Sequence, residues 1–175
     1  MPRFELDVDP CDHITADAIG APGQRVFYLQ AYQEQRTITV LIEKAQLQTL
    51  AIGVEQFLSQ IQRQNPNLEE ASGEFIEEQM RIHPPVDPLF RAGEIGLGYD
   101  KDRDRVVILA KELLTEEDDP TTAAEIRFWG TRTQMRKLAR WGVDVVSRGR
   151  PVCPQCGQPM EAEGHFCPKK NGHLH

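Results

Sequence analysis

The sequence feature that most constrains the fold is a helical pattern that occurs twice, each time after β-rich segments. From residue 44 to residue 61, apolar residues recur at intervals of three and four, the pattern of a helix that packs one face on a sheet. A second such pattern begins near Thr131. Adding 88 to the numbering of the first pattern aligns the two, with identical residues at Gln46/Gln134, Leu50/Leu138, Ala51/Ala139 and Ser59/Ser147. The alignment predicts a tandem repeat, and chance similarity between two amphipathic helices is the alternative.

Both helical patterns follow a predicted β-hairpin. The runs "RVFYLQAY" and "RTITVLIE" are rich in β-forming residues and enclose a polar turn, and "EIGLGY" and "RVVILAKE" enclose a charged turn. Further strands are predicted at residues 4–8, 14–19 and 124–129. We therefore predict an α+β body, residues 1–150, built from two tandem β-hairpin-plus-helix units with pseudo-twofold symmetry, at about residues 25–63 and 94–148.

The C-terminal segment, residues 151–175, has the composition of a metal site. It holds three of the four cysteines, and Cys153 and Cys156 have the spacing of a zinc knuckle, followed by a glycine. Cys167 follows after ten residues, and tetrahedral zinc then requires a fourth ligand. His165 is the preferred candidate, because residues two apart in an extended segment point to the same side, and His173 is the rival. The segment is predicted to form a zinc ribbon.

Other interpretations of the two close cysteines are less favourable. A thioredoxin-like redox pair requires a preceding strand and a helix that opens at the motif, whereas "RGRPV" and "GQPM" flank it here. A catalytic zinc keeps one position for water, and no carboxylate stands at an interpretable spacing to act as a base. We therefore predict a structural Zn²⁺ that supplies the folding free energy of a segment too short to build a core. No catalytic residue is predicted.

Charge is divided unevenly along the chain. Residues 1–126 carry 11 Lys and Arg against 24 Asp and Glu, whereas residues 127–175 carry 9 against 3. In the second helix, Arg132, Arg136 and Arg140 form one stripe opposite the apolar face, and like charges at this spacing destabilise a helix unless anions neutralise them. The stripe is a candidate contact for an anion or a partner, and a solvated basic face is the alternative.

Several classes of protein are disfavoured by pattern. The apolar runs are too short to span a membrane and the N-terminus lacks the apolar core of a signal peptide, so we expect a cytosolic protein. The sequence has no P-loop, no dinucleotide-binding fingerprint and no G-x-S-x-G motif. The triplet from Cys11 to His13 is interpreted as a loop, and Trp129 and Trp141 are expected where the body meets the tail.

Five motifs spread over nearly the whole chain resemble those of a known family. They are "GAPGQRVFYLQA", "EKAQL", "FRAG", "GRPVCPQCGQP" and "GHFCPKKNG". Through them the chain resembles an uncharacterised bacterial family, a domain of unknown function common in actinobacteria and their relatives. The resemblance implies Cys153, Cys156, His165 and Cys167 as the metal ligands, and the family often has tyrosine at the position of His173. It carries no activity, but it implies a pathway shared with a histidine-phosphatase-like protein and a lipid-kinase-like protein, which are often encoded beside the family.

The leading hypothesis is a zinc-binding cytosolic interaction or regulatory protein without catalysis of its own, whose tail docks a partner. The partner would be a protein, with the phosphatase-like and kinase-like proteins as candidates. One alternative is a nucleic-acid-binding protein that uses the basic second helix and the ribbon. The other is an enzyme with a cleft between the two units, which a buried carboxylate or His83 in that cleft would support.

Overall fold

A computed structural model describes residues 2–148, and within this range the chain forms two β-sheets and three α-helices. The predicted α+β class is confirmed. The strands are β1 (Glu5–Val8), β2 (His13–Ile19), β3 (Val26–Gln33), β4 (Arg36–Ile42), β5 (Ala92–Asp100), β6 (Arg105–Glu112) and β7 (Glu125–Gly130). The helices are α1 (Lys44–Gln64), α2 (Glu77–Met80) and α3 (Arg132–Ser147), with a 3₁₀ turn at Pro120–Thr122. Within residues 2–148, no helix combines the length and the apolar character needed to cross a membrane.

Each long helix follows an antiparallel meander of three strands. β2, β3 and β4 pair in that order before α1, and β5, β6 and β7 pair in that order before α3. The first meander therefore begins at His13, ahead of the predicted unit boundary near residue 25. Gly20 and Gly23 make this possible, because their positive φ angles of 119° and 85° close a turn between β2 and β3 that side chains would strain.

The predicted apolar faces of both helices are confirmed as core. α1 buries Leu47, Leu50, Ala51, Val54, Leu58 and Ile61. α3 buries Met135, Leu138, Ala139, Trp141, Gly142 and Val145. The helices pack on each other, and a Cβ atom on Gly142 would lie 3.1 Å from Leu47 Cδ1. Because Arg136 lies beside Glu55 while Gly142 lies beside Leu47, the two helices run in opposite directions.

The segment that precedes each meander pairs with the last strand of the other one. β1 lies parallel to β7, with Glu5 opposite Glu125. Before β5, Leu89 N donates to Thr39 O and Leu41 N donates to Phe90 O, both at 2.9 Å, so this segment runs along β4. The two halves of the body are therefore interlocked through their backbones.

The N-terminus of α1 is tied to the start of β5 by one glutamine. Gln46 Oε1 accepts from Glu43 N at 2.7 Å, which caps the helix. Its Nε2 donates to the carbonyl oxygens of Ala92 and Gly93 at 3.1 and 3.3 Å. The same side chain thus satisfies a free helix N–H group and joins α1 to the second meander.

The N-terminus of α3 has the same arrangement. Gln134 Oε1 accepts from Thr131 N at 2.8 Å. Its Nε2 donates to the carbonyl oxygens of Cys11 and Asp12 at 3.1 and 3.3 Å, immediately before β2. Gln134 therefore joins α3 to the first meander, as Gln46 joins α1 to the second.

Candidate functional site

The arginine stripe on α3 binds the chain that follows α1. Arg132 NH1 donates to the carbonyl of Glu69 at 2.7 Å, while its Nε donates to Asp104 at 2.8 Å. Arg136 NH1 donates to the carbonyl of Ala71 at 2.7 Å, and this arginine is 7% exposed. The hydrogen bond from Arg132 also holds the pKa of Asp104 below its usual value. Two of the three predicted contact residues are thus engaged with backbone and carboxylate oxygens of the same chain.

The third arginine continues the contact towards the C-terminal end of α3. Arg140 Nε lies 3.5 Å from Glu55 of α1. Its side chain also lies against Gly73, where an added Cβ would approach the guanidinium to 2.5 Å. Only glycine fits at this position without moving the arginine. Two residues further on, the ring of Phe75 meets the edge of Trp141 at 5.8 Å between centroids.

Residues 69–83, here called the covering segment, therefore run along α3 from its first turn to its last. The final contact is an ion pair between Glu77 and Arg148. The carbonyl contacts explain why a helix carries arginines at this spacing, since oxygen atoms of the covering segment neutralise the repulsion between them. A contact between the stripe and an external anion or partner stays a prediction.

The end of the covering segment closes one face of the first sheet. This face carries buried polar side chains at cross-strand neighbours, namely Thr15, Gln30 and Thr39, with Asp17 beside them. Thr15 Oγ1 donates to Met80 O at 2.5 Å. Gln30 Nε2 donates to His83 O at 3.2 Å, and its Oε1 accepts from His83 N at 3.1 Å. The covering segment thus supplies the hydrogen bonds that these buried groups require.

Asp17 is the buried carboxylate of this face, with the residue 4% exposed. Its two oxygens accept from Ala18 N at 2.8 Å and from Ile82 N at 3.3 Å. Arg81 lies 3.6 Å away and supplies a positive charge. Asp17 therefore holds the covering segment on β2 through its hydrogen bond from Ile82 N and its ion pair with Arg81.

A small cleft lies where β2, α3 and the covering segment meet. This histidine cleft has a volume of about 180 Å³, and its lining includes Asp12, His13, Phe75, Gln79, Gln134 and Lys137. Gln134 frames it, since the bonds to residues 11 and 12 fix the distance between α3 and the start of β2. The cleft lies between the first meander and the helix of the second.

The surroundings of His13 in this cleft disfavour its protonated form. Burial is the main cause that lowers the pKa of His13 below its usual value, and the charges of His83 and Lys137 act in the same direction. The carbonyl of Gln79 opposes them. His13 Nε2 is buried and has no hydrogen-bond partner among residues 2–148. A neutral imidazole beside an ammonium group can accept a proton from a small ligand whose negative charge the lysine would bind.

Tyr32 connects His13 to His83. Its ring stacks on that of His13 at 5.7 Å between centroids. Its hydroxyl donates to Gln30 Oε1 at 2.6 Å and lies 2.6 Å from His83 Nδ1, which therefore acts as the donor to the hydroxyl. Burial raises the pKa of Tyr32. His83 thus lies beside the polar face rather than in the histidine cleft itself.

The predicted zinc ligands lie outside the described residues. This holds for Cys153, Cys156, His165, Cys167 and the rival His173. Within residues 2–148, no group of three or more His, Cys, Asp or Glu side chains could hold a metal ion.

The remaining cysteine and the central tryptophan are parts of the core. Cys11 is 4% exposed, and burial raises the pKa of its thiol to about 12, so it is not a reactive group. Trp141, expected where the body meets the tail, is fully buried and donates from Nε1 to Ala16 O at 2.7 Å. The guanidinium of Arg148, the last described residue, lies 5.0 Å from its ring centroid, and the tail itself lies outside the described residues. The apolar periodicity of α3 includes Trp141, which explains the burial.

Two features of the site were missed by the sequence interpretation. The triplet ending at His13 was interpreted as a loop, yet His13 is the first residue of β2. The polar face was also missed, although polar residues alternate along β2 at Thr15 and Asp17. The sequence of β2 alternates between polar residues and the apolar Ile14 and Ala16, which is typical of a strand with one face in solvent. This alternation did not reveal that both faces of β2 are buried.

Comparison with known proteins gives one match. A family described as a protein of unknown function (DUF3090) matches residues 6–167. No curated protein matches the chain, and no solved structure matches it. The match includes both meanders, both long helices and all four predicted zinc ligands, of which Cys167 is the last, whereas the rival His173 lies beyond it.

Proposed function

The chain belongs to the DUF3090 family of unknown function, and from this premise we propose a cytosolic interaction or regulatory protein without catalysis of its own. Its tail, residues 151–175, would be a zinc ribbon, as the resemblance to a bacterial, actinobacterial-type family implies. The zinc would be structural, held by Cys153, Cys156, His165 and Cys167. The partner would be a protein, with the phosphatase-like and kinase-like proteins as candidates.

The observation that carries this proposal is the way α3 holds the covering segment. Arg132 and Arg136 bind the backbone carbonyls of Glu69 and Ala71 in the covering segment, and Gly73 allows the close approach of Arg140. The two carbonyl contacts are independent of the side chains at positions 69 and 71, as in peptide-binding surfaces. The long helices of this body thus offer surfaces on which irregular chain segments can bind.

We further propose that the body consists of two copies of one strand–strand–strand–helix unit, related by a pseudo-twofold axis. Gln46 and Gln134 support this, because each caps its own helix and donates to two consecutive carbonyls where the other meander begins. The pairing of β1 with β7, and of residues 89–91 with β4, supports it in the same way.

Metal content tests the tail. Purified full-length chain is expected to contain one zinc ion per molecule by elemental analysis, and Cys156→Ser is expected to lose it. Cys11→Ser is the matched control, because Cys11 is buried in the body. Retention of zinc by Cys156→Ser, or its loss from Cys11→Ser, would contradict the proposed ligand set.

Partner capture tests the interaction role. Tagged chain is recovered from native lysate at moderate salt, with half of the sample treated with nuclease. Protein partners that persist after digestion support the proposal. Recovery of nucleic acid, with an affinity that falls by about 10³-fold or more between 50 and 200 mM salt, would favour the nucleic-acid alternative. That alternative is weakened by the internal ion pairs of Arg132 and Arg136.

The histidine cleft favours a second candidate, an enzyme or ligand-binding protein with its site between the two units. His13 and Lys137 are the residues that would act there. The imidazole signals of His13 can be followed by NMR while inorganic phosphate and small carboxylates are added. A shift of these signals that Lys137→Met abolishes would support the second candidate, and unchanged signals would count against it.

A further inference from the structure

A groove between α1 and β5 corresponds to the histidine cleft between α3 and β2. This α1–β5 groove has a volume of about 400 Å³ and is lined by residues that include Thr49, Gly53, Gly93 and Leu97. Gln46 lines it and ties α1 to the start of β5, as Gln134 does for the histidine cleft. Adding 88 to Thr49 and Gly53 gives Lys137 and Trp141, which belong to the helix that frames the histidine cleft.

The groove is apolar and open. Its lining comes only from α1 and residues 93–97, within the described part of the chain. Ile95 and Leu97 are only partly buried although they pack against the core. Ile52, on the adjacent exposed face of α1, is 54% exposed. Apolar surface of this kind on two neighbouring elements is typical of a binding surface.

The histidine cleft shows what covers the corresponding surface. The covering segment belongs to the chain that leaves α1, and its first contact is with Arg132 in the first turn of α3. It then places Phe75 on Trp141 and lines the cleft with Phe75, Gln79 and Met80. The cover of each surface would, by the proposed repeat, be the segment that follows the other helix.

The segment that follows α3 begins at the right place for this role. Gly142 packs against Leu47, so the C-terminal turns of α3 lie beside the first turns of α1, where the groove begins. After Arg148 the chain continues for 27 residues (175 − 148), whereas the covering segment has 15 (83 − 69 + 1). The length is sufficient to cross the groove.

The sequence of this segment also offers an anchor for an apolar groove. Phe166 is the only Phe, Tyr or Trp in residues 149–175, and it stands two residues after Gly164. Phe75 stands in the same relation to Gly73 in the covering segment. At the position where Phe75 meets Trp141, the groove has Gly53, which leaves room for an aromatic ring beside Leu97.

We propose that residues 149–175 bind in the α1–β5 groove of their own body, with Phe166 packed over Gly53 and against the side of Leu97. The inference rests on the proposed two-copy architecture but needs neither the zinc ion nor an external partner. It gives the groove a specific occupant, the C-terminal tail of the same molecule. The apolar lining of the groove is then covered in the full chain.

Photo-crosslinking tests the proposal. A benzophenone amino acid is placed at Thr49 in the full-length chain, which is mixed with isotope-labelled chain before irradiation so that crosslinks within and between molecules are distinguished by mass. We expect crosslinks within one molecule to residues 149–175. The control carries the probe at the exposed Asp102, in the turn between β5 and β6, and is expected to give at least about tenfold fewer. Equal yields from both positions, crosslinks only between molecules, or none to the tail would overturn the proposal.

Limited trypsin digestion gives a second measurement that does not depend on the probe. Cleavage at Lys169 and Lys170 is expected to accelerate at least about fivefold in Thr49→Glu and in Phe166→Ser, because both changes remove the tail from the groove. Thr49 is exposed, so its substitution leaves the core intact. Asp102→Lys is the matched control. An unchanged cleavage rate in both variants would contradict the docking even where zinc analysis supports the ribbon, so the two proposals fail independently.

Discussion

The histidine cleft and the α1–β5 groove are bounded by equivalent glutamine contacts but are lined by different side chains. In both, a glutamine at the third position of a helix caps that helix and donates to two carbonyls of the opposite meander. On α3, however, Lys137 lines the histidine cleft and Trp141 packs beneath Phe75, at the positions where α1 has Thr49 and Gly53. The glutamine at the start of each helix therefore fixes how the helix meets the opposite meander. The two side chains further along the same face determine what covers each surface and what it can bind.

Substitutions at Trp141 and Gly53 are expected to show the largest difference in stability between the two surfaces. Trp141→Ala removes a fully buried side chain and its hydrogen bond to Ala16, and we expect it to lower the free energy of unfolding by about 3–5 kcal/mol. Gly53→Ala places a Cβ at an ordinary 3.7 Å from Leu97, and should stabilise α1 by about 0.5–1 kcal/mol. Urea denaturation measures both, and a similar loss in the two variants would show that the surfaces are packed alike.

The arginine stripe gives the next largest contrast. Arg136→Met leaves the carbonyl of Ala71 without its charged donor, whereas Glu55 keeps Arg140 at 3.5 Å, and the change should cost about 1.5–3 kcal/mol. The residue at the corresponding position of α1 is Gln48, which is exposed, and Gln48→Met should change stability by less than about 0.5 kcal/mol. Chemical denaturation of both variants measures the contrast. A neutral effect of Arg136→Met would mean that the covering segment is held by its apolar contacts alone.

Substitution of either capping glutamine is expected to lower stability by a similar amount in the two halves. Gln46→Ala and Gln134→Ala each remove a cap and two further hydrogen bonds, and each should cost about 1–2 kcal/mol. Thermal and urea unfolding would compare them. A difference of more than about 1 kcal/mol would contradict the equivalence of the two glutamine contacts.

The smallest effect on stability is expected from the protonation of His13. Its folded-state pKa lies below the unfolded value of about 6.5, so between these two values the unfolded chain binds more protons. Stability should therefore fall as the pH drops below about 6.5 and level off once the pH is below the folded-state pKa. Urea midpoints at pH 7.5 and 5.5 should differ less in His13→Gln than in the parent chain. An equal slope in both would show that the cleft does not disfavour the charged ring.

The spacing of apolar residues predicted the helices and strands of the body well, but it did not predict contacts between side chains and backbone carbonyls. The buried faces of α1 and α3 follow from spacing alone, because a helix that packs on one side must repeat its apolar residues every three or four positions. The stripe of Arg132, Arg136 and Arg140 was visible as a cluster of charge. The partners of the stripe could not be predicted, because they are backbone carbonyls such as those of Glu69 and Ala71. Every residue has a carbonyl group, so the sequence does not indicate which ones bind an arginine.

The candidate site was hidden for a related reason. His13 is one residue after an aspartate in a polar triplet, and a pattern of that kind is typical of a loop. Its place in β2 depends on pairing with Tyr32, a contact over 19 positions that local propensity does not report. The polar face of Thr15 and Gln30 is buried because residues 80–83 cover it, and these residues span the end of the four-residue helix α2 and the irregular chain that follows it. The predicted zinc ligands stay a prediction.

The exchange of strands between the halves has a consequence for the way this chain reaches its native state. β1 is completed by β7, whose paired residues lie 120 positions away (125 − 5). Loop closure over such a separation is unfavourable until most of the intervening chain is in place, so folding is expected to be slow for a domain of this size. The second meander and β1 could not acquire their full complement of hydrogen bonds during synthesis before β7 has left the ribosome. The body should therefore mature as one late, cooperative event, and truncated chains that end between α1 and β7 should be recognised by the cell as unfinished.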